Sequence, residues 1–163
     1  MQKYWHSSPK SAKIDTMTEV KYITSAADID IAALNAYWRT STDVEDYDAA
    51  ALESYLATDS SHLWIAYQDG QPAGLLLATT VRKPYKASDF LYIDELDTHV
   101  EHRRRGVARK LMAAAAAYAE SANLDEIWLG TEPDNMAANK LYVSLNPSET
   151  EEFVGYTYKV GSI

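Results

Sequence analysis

Two apolar runs, residues 62–68 (HLWIAYQ) and 73–81 (AGLLLATTV), are joined by only Asp69-Gly70-Gln71-Pro72. Asp-Gly between apolar runs is a strong hairpin signal, because both residues accept the positive φ that such a turn demands. The pair predicts antiparallel strands at the centre of the fold. Around it the patterning predicts a strand over 19–24, a helix starting after Ser25 and carrying Ile29, Ile31, Leu34 and Trp38 on one stripe, and a second helix reaching Leu56. Asp43 is its expected N-cap, with Tyr47, Ala51 and Tyr55 buried. A third long strand follows at 90–98, then a helix from about Arg105 to Ala122 built on five alanines, a short strand at 127–130, a helix opened by Pro133-Asp134, and a closing strand at 153–160. The order β-α-α-β-β-β-α-β-α-β argues for a single mixed α/β domain over 18–163.

A chain of 163 residues that is 47% apolar can bury a sizeable core, and residues 1–17 read as a flexible tail. The chain has no cysteine, so disulfides, thiolate metal sites and a cysteine nucleophile are excluded. No apolar run approaches the ~18 residues that span a bilayer, and the first residues offer no apolar signal segment. A cytoplasmic protein without a membrane partner is expected.

A net charge of −9 argues against nucleic-acid binding, which needs a basic footprint. The charge is uneven. No lysine or arginine lies between Arg39 and Arg82, where seven carboxylates sit, among them Asp43, Glu45, Asp46 and Asp48. Arg103, Arg104, Arg105, Arg109 and Lys110 are packed into eight positions. The pattern suggests a polyanion at the basic knot and a cation elsewhere.

The most informative stretch is the passage from the third long strand into the alanine-rich helix, Leu96-Asp97-Thr98-His99-Val100-Glu101-His102-Arg103-Arg104-Arg105-Gly106-Val107-Ala108. Gly106 permits close backbone approach, the first helical turn presents unpaired N–H groups, and the arginines add charge, so the junction suits phosphate. A solvated basic loop on an acidic protein is the plain alternative. Neither a Walker loop nor a GxGxxG turn is present. His99 and His102 have no metal-like spacing to carboxylates and read as loop surface, and no metal is expected.

Arg103-x-x-Gly106-x-Ala108 after a strand, followed by Asn135-x-x-Ala138-x-x-Leu141-Tyr142 on the helix after the next strand, resembles the two coenzyme motifs of GCN5-related N-acetyltransferases (GNAT). The resemblance covers about residues 19–160. Tyr92-Ile93-Asp94-Glu95-Leu96, Glu101-His102-Arg103-Arg104 and the stretch from Ala138 to Tyr142 are most similar to gentamicin/fortimicin-type aminoglycoside 3-N-acetyltransferases. Asn146-Pro147, and Val100 where proline is common, depart from the family pattern.

The resemblance implies a mostly antiparallel mixed sheet flanked by helices, and direct acetyl transfer from acetyl-CoA to a primary amine. Pyrophosphate would rest on Arg103, Arg104, Arg105, Gly106, Val107 and Ala108. Backbone donors around Leu96, Asp97 and Thr98 would polarise the thioester, where two strands splay to admit pantetheine. Asn135 and Ala138 would contact the coenzyme, and Tyr142 would return a proton to the CoA thiolate. Glu95 is the expected base, with Asp94 its rival; alternation on a strand lets at most one of them face the acceptor. Asp43, Glu45, Asp46, Asp94, Glu132 and Asp134 would line the site for a small cationic amine, and a solubilising acidic face is the plain alternative. Acetylation at the 3-amino group of an aminoglycoside, conferring resistance, is the leading expectation; a polyamine or peptide acceptor and a non-catalytic CoA-binding module are the alternatives. A homodimer paired through the closing strand is also possible in such a family.

Overall fold

The computed structural model describes residues 17–39 and 46–161. The tail at 1–16 and the expected site residues Asp43 and Glu45 lie outside them. Five strands, β1 (Thr18–Ile23), β2 (Ser61–Gln68), β3 (Gln71–Val81), β4 (Phe90–Thr98) and β5 (Glu126–Trp128), form one sheet in the order β1-β2-β3-β4-β5. The first four are antiparallel, and β4 and β5 are parallel. The expected hairpin is there, with Asp69 and Gly70 both at positive φ.

Helix α3 (Val107–Ser121) crosses one face of the sheet. Its buried side chains, Val107, Leu111, Ala115 and Ala119, recur every fourth residue, a stripe that lies along one side of a helix. Val107, Leu111 and Ala115 pack with Trp64, Leu76, Leu91 and Ile93 into one core. Helices α1 (Ile31–Trp38) and α2 (Ala49–Leu56) cover the other face, where Leu34, Trp38 and Leu52 pack with Leu63, Ile65 and Leu75. Helix α4 (Met136–Val143) follows β5. The chain divides into two compact units, with the boundary between Leu129 and Gly130.

Several expectations are corrected. The first helical stripe is two pieces: a 3-10 turn over Ala26–Asp28 capped by Ser25, then α1 capped by Asp30, whose carboxylate accepts from the Ala33 N–H. Helix α2 is capped by Asp48 through the Ala51 N–H, not by Asp43, and it buries Leu52 while Ala51 is exposed. Residues 151–159 form no strand, and Phe153, Val154, Tyr156 and Tyr158 are exposed. Apolar alternation supplies a sheet face but not the backbone partner that a strand requires. Among the described residues no helix is long and apolar enough to cross a membrane.

Candidate active site

The site is organised by one extra residue in β4. Leu77 pairs with Glu95, but Ala78 pairs with Ile93, so Asp94 is a bulge. Leu91 and Ile93 belong to the core under α3. Continued alternation would have buried Glu95 there as well. The inserted residue resets the phase, so that Leu96 packs against that core while Glu95 and Asp97, paired with Leu77 and Leu75, take the α1–α2 face.

Asp94 is on that face too. Its Oδ2 accepts a hydrogen bond of 2.8 Å from Thr79 Oγ1, and Thr79 shares a face with Leu77 and Leu75. The expectation that Asp94 and Glu95 oppose each other is therefore corrected: a bulge suspends the alternation on which it rested. Three carboxylates share one side of the sheet. Two phenols, Tyr55 on α2 and Tyr47 just before it, respond to them. Tyr55 is pushed up to about 12, by burial and then by the Asp94 charge. Tyr47 is raised by burial and then by Glu95 and Asp97. Glu95 itself is raised above the ordinary carboxylate range, first by burial and then by Asp97. Tyr47 is also fixed through its backbone: its N–H donates to Asn35 Oδ1 at 2.9 Å and its carbonyl accepts from Asn35 Nδ2 at 2.8 Å. The sequence marked Tyr47 and Tyr55 only as packing residues.

Beyond the bulge β4 has one partner edge. Its pairing with β5 covers Phe90 to Tyr92, and β5 itself ends there at Trp128. Of the three expected donors, the Thr98 N–H is engaged by Asp97 Oδ1 at 2.7 Å.

The basic loop follows directly. Arg104 and Gly106 have positive φ, 63° and 83°, and Gly106 is the N-cap of α3 without a side-chain cap. The N–H groups of Val107 and Ala108, in the first turn of this 15-residue helix, therefore have neither an intrahelical acceptor nor a side-chain cap, an arrangement that suits an anion. The side chains of Arg103, Arg104 and Arg105 are exposed around it. Arg103 Nε donates to the Thr98 carbonyl at 3.1 Å, tying loop to strand. Sequence reasoning missed Gly74. A Cβ there would stand 2.7 Å from Val107 Cγ1 and 2.8 Å from the Asp97 carbonyl, so its hydrogen lets the start of α3 sit directly against the end of β4.

His99 and His102 are buried, not loop surface as expected. His99 Nδ1 accepts from the Glu101 N–H, leaving Nε2 to donate to the Tyr37 carbonyl. His102 lies between Gln68 and the Tyr37 hydroxyl.

The expected acidic wall is only partly free. Asp46 forms an ion pair with Arg39, and Asp48 is spent on capping α2. In the second unit Glu132 and Asp134 are exposed, and Asn135 is the N-cap of α4, accepting from the Ala138 N–H at 3.2 Å. Asn139 Nδ2 gathers the carbonyls of Glu132, Pro133 and Asn135. Tyr142 is partly buried, which raises its phenol. Among the described residues no group of three or more His, Asp or Glu is placed to hold a metal ion.

Residues 31–146 match the acetyltransferase (GNAT) family, and the chain belongs to it. A curated relative is the rat (Rattus norvegicus) N-acetyltransferase family 8 member 3, 32% identical over 122 residues, covering 70% of this chain and 53% of that protein. The chain thus spans about half the length of the curated relatives it matches. Among solved structures, the aminoglycoside acetyltransferase meta-AAC0020 from an uncultured soil metagenomic sample, in complex with sisomicin, superposes with a TM-score of 0.77 at 16% identity, covering 88% of this chain and 96% of that one. AAC(6')-Iy, in complex with the bisubstrate analogue CoA-S-monomethyl-acetylneamine, gives 0.71 at 21%, covering 88% and 99%. These likenesses establish the shared α/β fold.

Proposed function

We propose that the protein transfers an acetyl group from acetyl-CoA to a primary amine of a polycationic acceptor, an aminoglycoside, at its 3-amino group. The observation that carries the reading is the bulge, which turns Asp94, Glu95 and Asp97 to one side of β4 just beyond the end of its pairing with β5. An ammonium acceptor is drawn to three carboxylates, but only its neutral form attacks. Glu95, raised above the ordinary carboxylate range by burial and then by Asp97, serves as the proton acceptor. The amine nitrogen bonds to the thioester carbonyl carbon, its proton passes to Glu95 directly or through one water, and the C–S bond breaks to release the CoA thiolate. Leu96, Asp97 and Thr98 flank the thioester, and the loop from Arg103 to Ala108 holds the pyrophosphate. Asn135 and Ala138 contact pantetheine, and Tyr142 donates to the departing thiolate, as the family motif implies. Asp94, Glu132 and Asp134 offer the acceptor further anionic contacts. The solved relatives named as aminoglycoside acetyltransferases support this acceptor class.

A second reading has its own observation: the curated relatives are named N-acetyltransferases without reference to an aminoglycoside, and in this reading the acceptor is another small amine or a peptide amine. The test is CoA release by purified protein with gentamicin, spermidine and a lysine peptide at matched ionic strength, with the acetylated position located by NMR. Turnover on gentamicin alone, acetylated at the 3-amino group, supports the proposal. Acetylation at the 6'-amino group corrects its regiochemistry, and turnover only on spermidine or peptide overturns the acceptor.

A further inference from the structure

We propose that Tyr37, Gln68 and His102 are positioning residues for acetyl-CoA, forming a hydrogen-bond relay that runs from β1 through β2 to α1 and holds the phosphate loop in its binding shape. The inference rests on the reading of residues 103–108 as the pyrophosphate cradle. Gln68, 1% exposed at the end of β2, donates from Nε2 to Thr18 Oγ1 at 2.7 Å. Its Oε1 therefore faces His102 Nδ1, at 2.8 Å, and accepts the proton there. His102 Nε2 lies 2.8 Å from the Tyr37 hydroxyl, whose single proton is shared with the Glu101 side chain, a second hydrogen-bond partner of that phenol. Each member fixes the rotamer of the next.

Tyr37 also grips the other end of the loop. Its ring stacks on His99 with centroids 4.1 Å apart, and its carbonyl accepts from His99 Nε2 at 3.3 Å. His99 directly follows β4, and His102 directly precedes Arg103. One side chain from α1 thus holds both ends of the short turn that leads from the thioester strand into the cradle. This matters because the cradle binds through backbone N–H groups, with Arg104 and Gly106 both in left-handed conformations. Phosphate affinity then depends on how narrowly the backbone is held. Among the side-chain tethers at this corner are the exposed Arg103 bond to Thr98 and the His102 relay, whose Gln68 and His102 are buried.

The experiment is titration of CoA into purified protein by calorimetry, with thermal melts in parallel. Tyr37→Phe, which keeps the ring stack and removes only the hydroxyl, is expected to weaken CoA binding about three- to tenfold, the scale of one neutral hydrogen bond. His102→Ala is expected to weaken it further. His102→Gln, whose amide oxygen reaches toward Tyr37, is expected to recover part of the loss. Combining Tyr37→Phe with His102→Ala should cost less than the sum of the two single changes, since they share one bond. Unchanged CoA affinity in folded Tyr37→Phe overturns the relay, whatever happens to the melting temperature. Full additivity of the two changes overturns it as well. Gly106→Asp, which places a carboxylate in the cradle, separates this failure from that of the underlying reading. If Gly106→Asp binds CoA normally, the cradle itself is misassigned; if it alone loses binding, only the relay fails.

Discussion

The proposed donor side and the proposed acceptor side of this molecule are built on different principles. The donor side is one continuous stretch of chain, from the end of β4 through the basic loop into α3, and its chemistry belongs to the backbone: orphan N–H groups, two left-handed residues and a helix start. The acceptor side is assembled from distant segments, Thr79 on β3, Asp94, Glu95 and Asp97 on β4, and Tyr47 and Tyr55 beside and on α2. Its chemistry belongs to side chains, and their direction hangs on one inserted residue. Backbone sites tolerate most side-chain substitutions but not a change of conformation. Side-chain sites respond the other way round.

The largest effect expected from this contrast is at Glu95. Glu95→Gln keeps the shape and removes the base, so kcat/KM with gentamicin should fall about 10²- to 10⁴-fold, with CoA affinity little changed. In the parent enzyme the Glu95 carboxyl must be ionised to accept the proton, so kcat/KM should rise with pH through a value above 4.5, the ordinary value for glutamate. That limb should disappear in the variant. A pH profile unaltered by Glu95→Gln would take the base away from Glu95 and leave Asp94 to be tested in its place.

The next effect is structural and falls on the donor side. Gly74→Ala would place a methyl group 2.8 Å from the Asp97 carbonyl and 2.7 Å from Val107, where neither strand backbone nor helix start can retreat freely. Overpacking of this kind costs about 1–3 kcal/mol, read as a lower urea midpoint. The same displacement shifts the first turn of α3, so CoA binding should weaken together with stability. Stability lost with normal CoA affinity would show that the cradle does not depend on the seating of α3.

What was legible in the sequence follows the same division. Asp69-Gly70 marked the hairpin, the five alanines marked α3, and Arg103-x-x-Gly106-x-Ala108 marked the loop that opens α3, because each of these signals is local. The bulge was not legible. Residues 90–98 read as a long strand unusual in carrying three carboxylates, and the extra residue shows only in the register against β3, which is a tertiary property. The burial of His99 and His102 was hidden for the same reason, since Tyr37 and Gln68, their partners, lie tens of residues away in sequence. The exposed stretch at 153–160 shows the converse: a local pattern without a partner does not make a strand.

A smaller effect sharpens the account of Glu95. Burial is the first cause of its raised value and the Asp97 charge the second. Asp97→Asn should therefore move the acidic limb of the pH–rate profile to lower pH without erasing it, because desolvation remains. A limb that does not move would mean that water screens the two carboxylates from each other, although both lie on the same face.

The smallest expected effect lies away from both sides and reports on the frame that holds them. His62 is buried among Tyr22, Trp64 and Tyr118, bonded to the Tyr22 hydroxyl at 2.9 Å and to Thr80 Oγ1 at 2.8 Å. Burial lowers its pKa below 6.5, and His102 is lowered as well, by burial first and then by Arg105 and His99. Both histidines take up protons more readily in the unfolded chain than in the folded one. Stability should accordingly be full above about pH 6.5 and decline as pH falls from there through the lower folded values. Urea midpoints at pH 7.5 and 5.5 measure the decline. His62→Gln, which cannot titrate, should be less stable at pH 7.5 yet lose less between the two pH values than the parent. An equal loss in both proteins would assign the decline to His102, and hence to the corner that anchors the cradle.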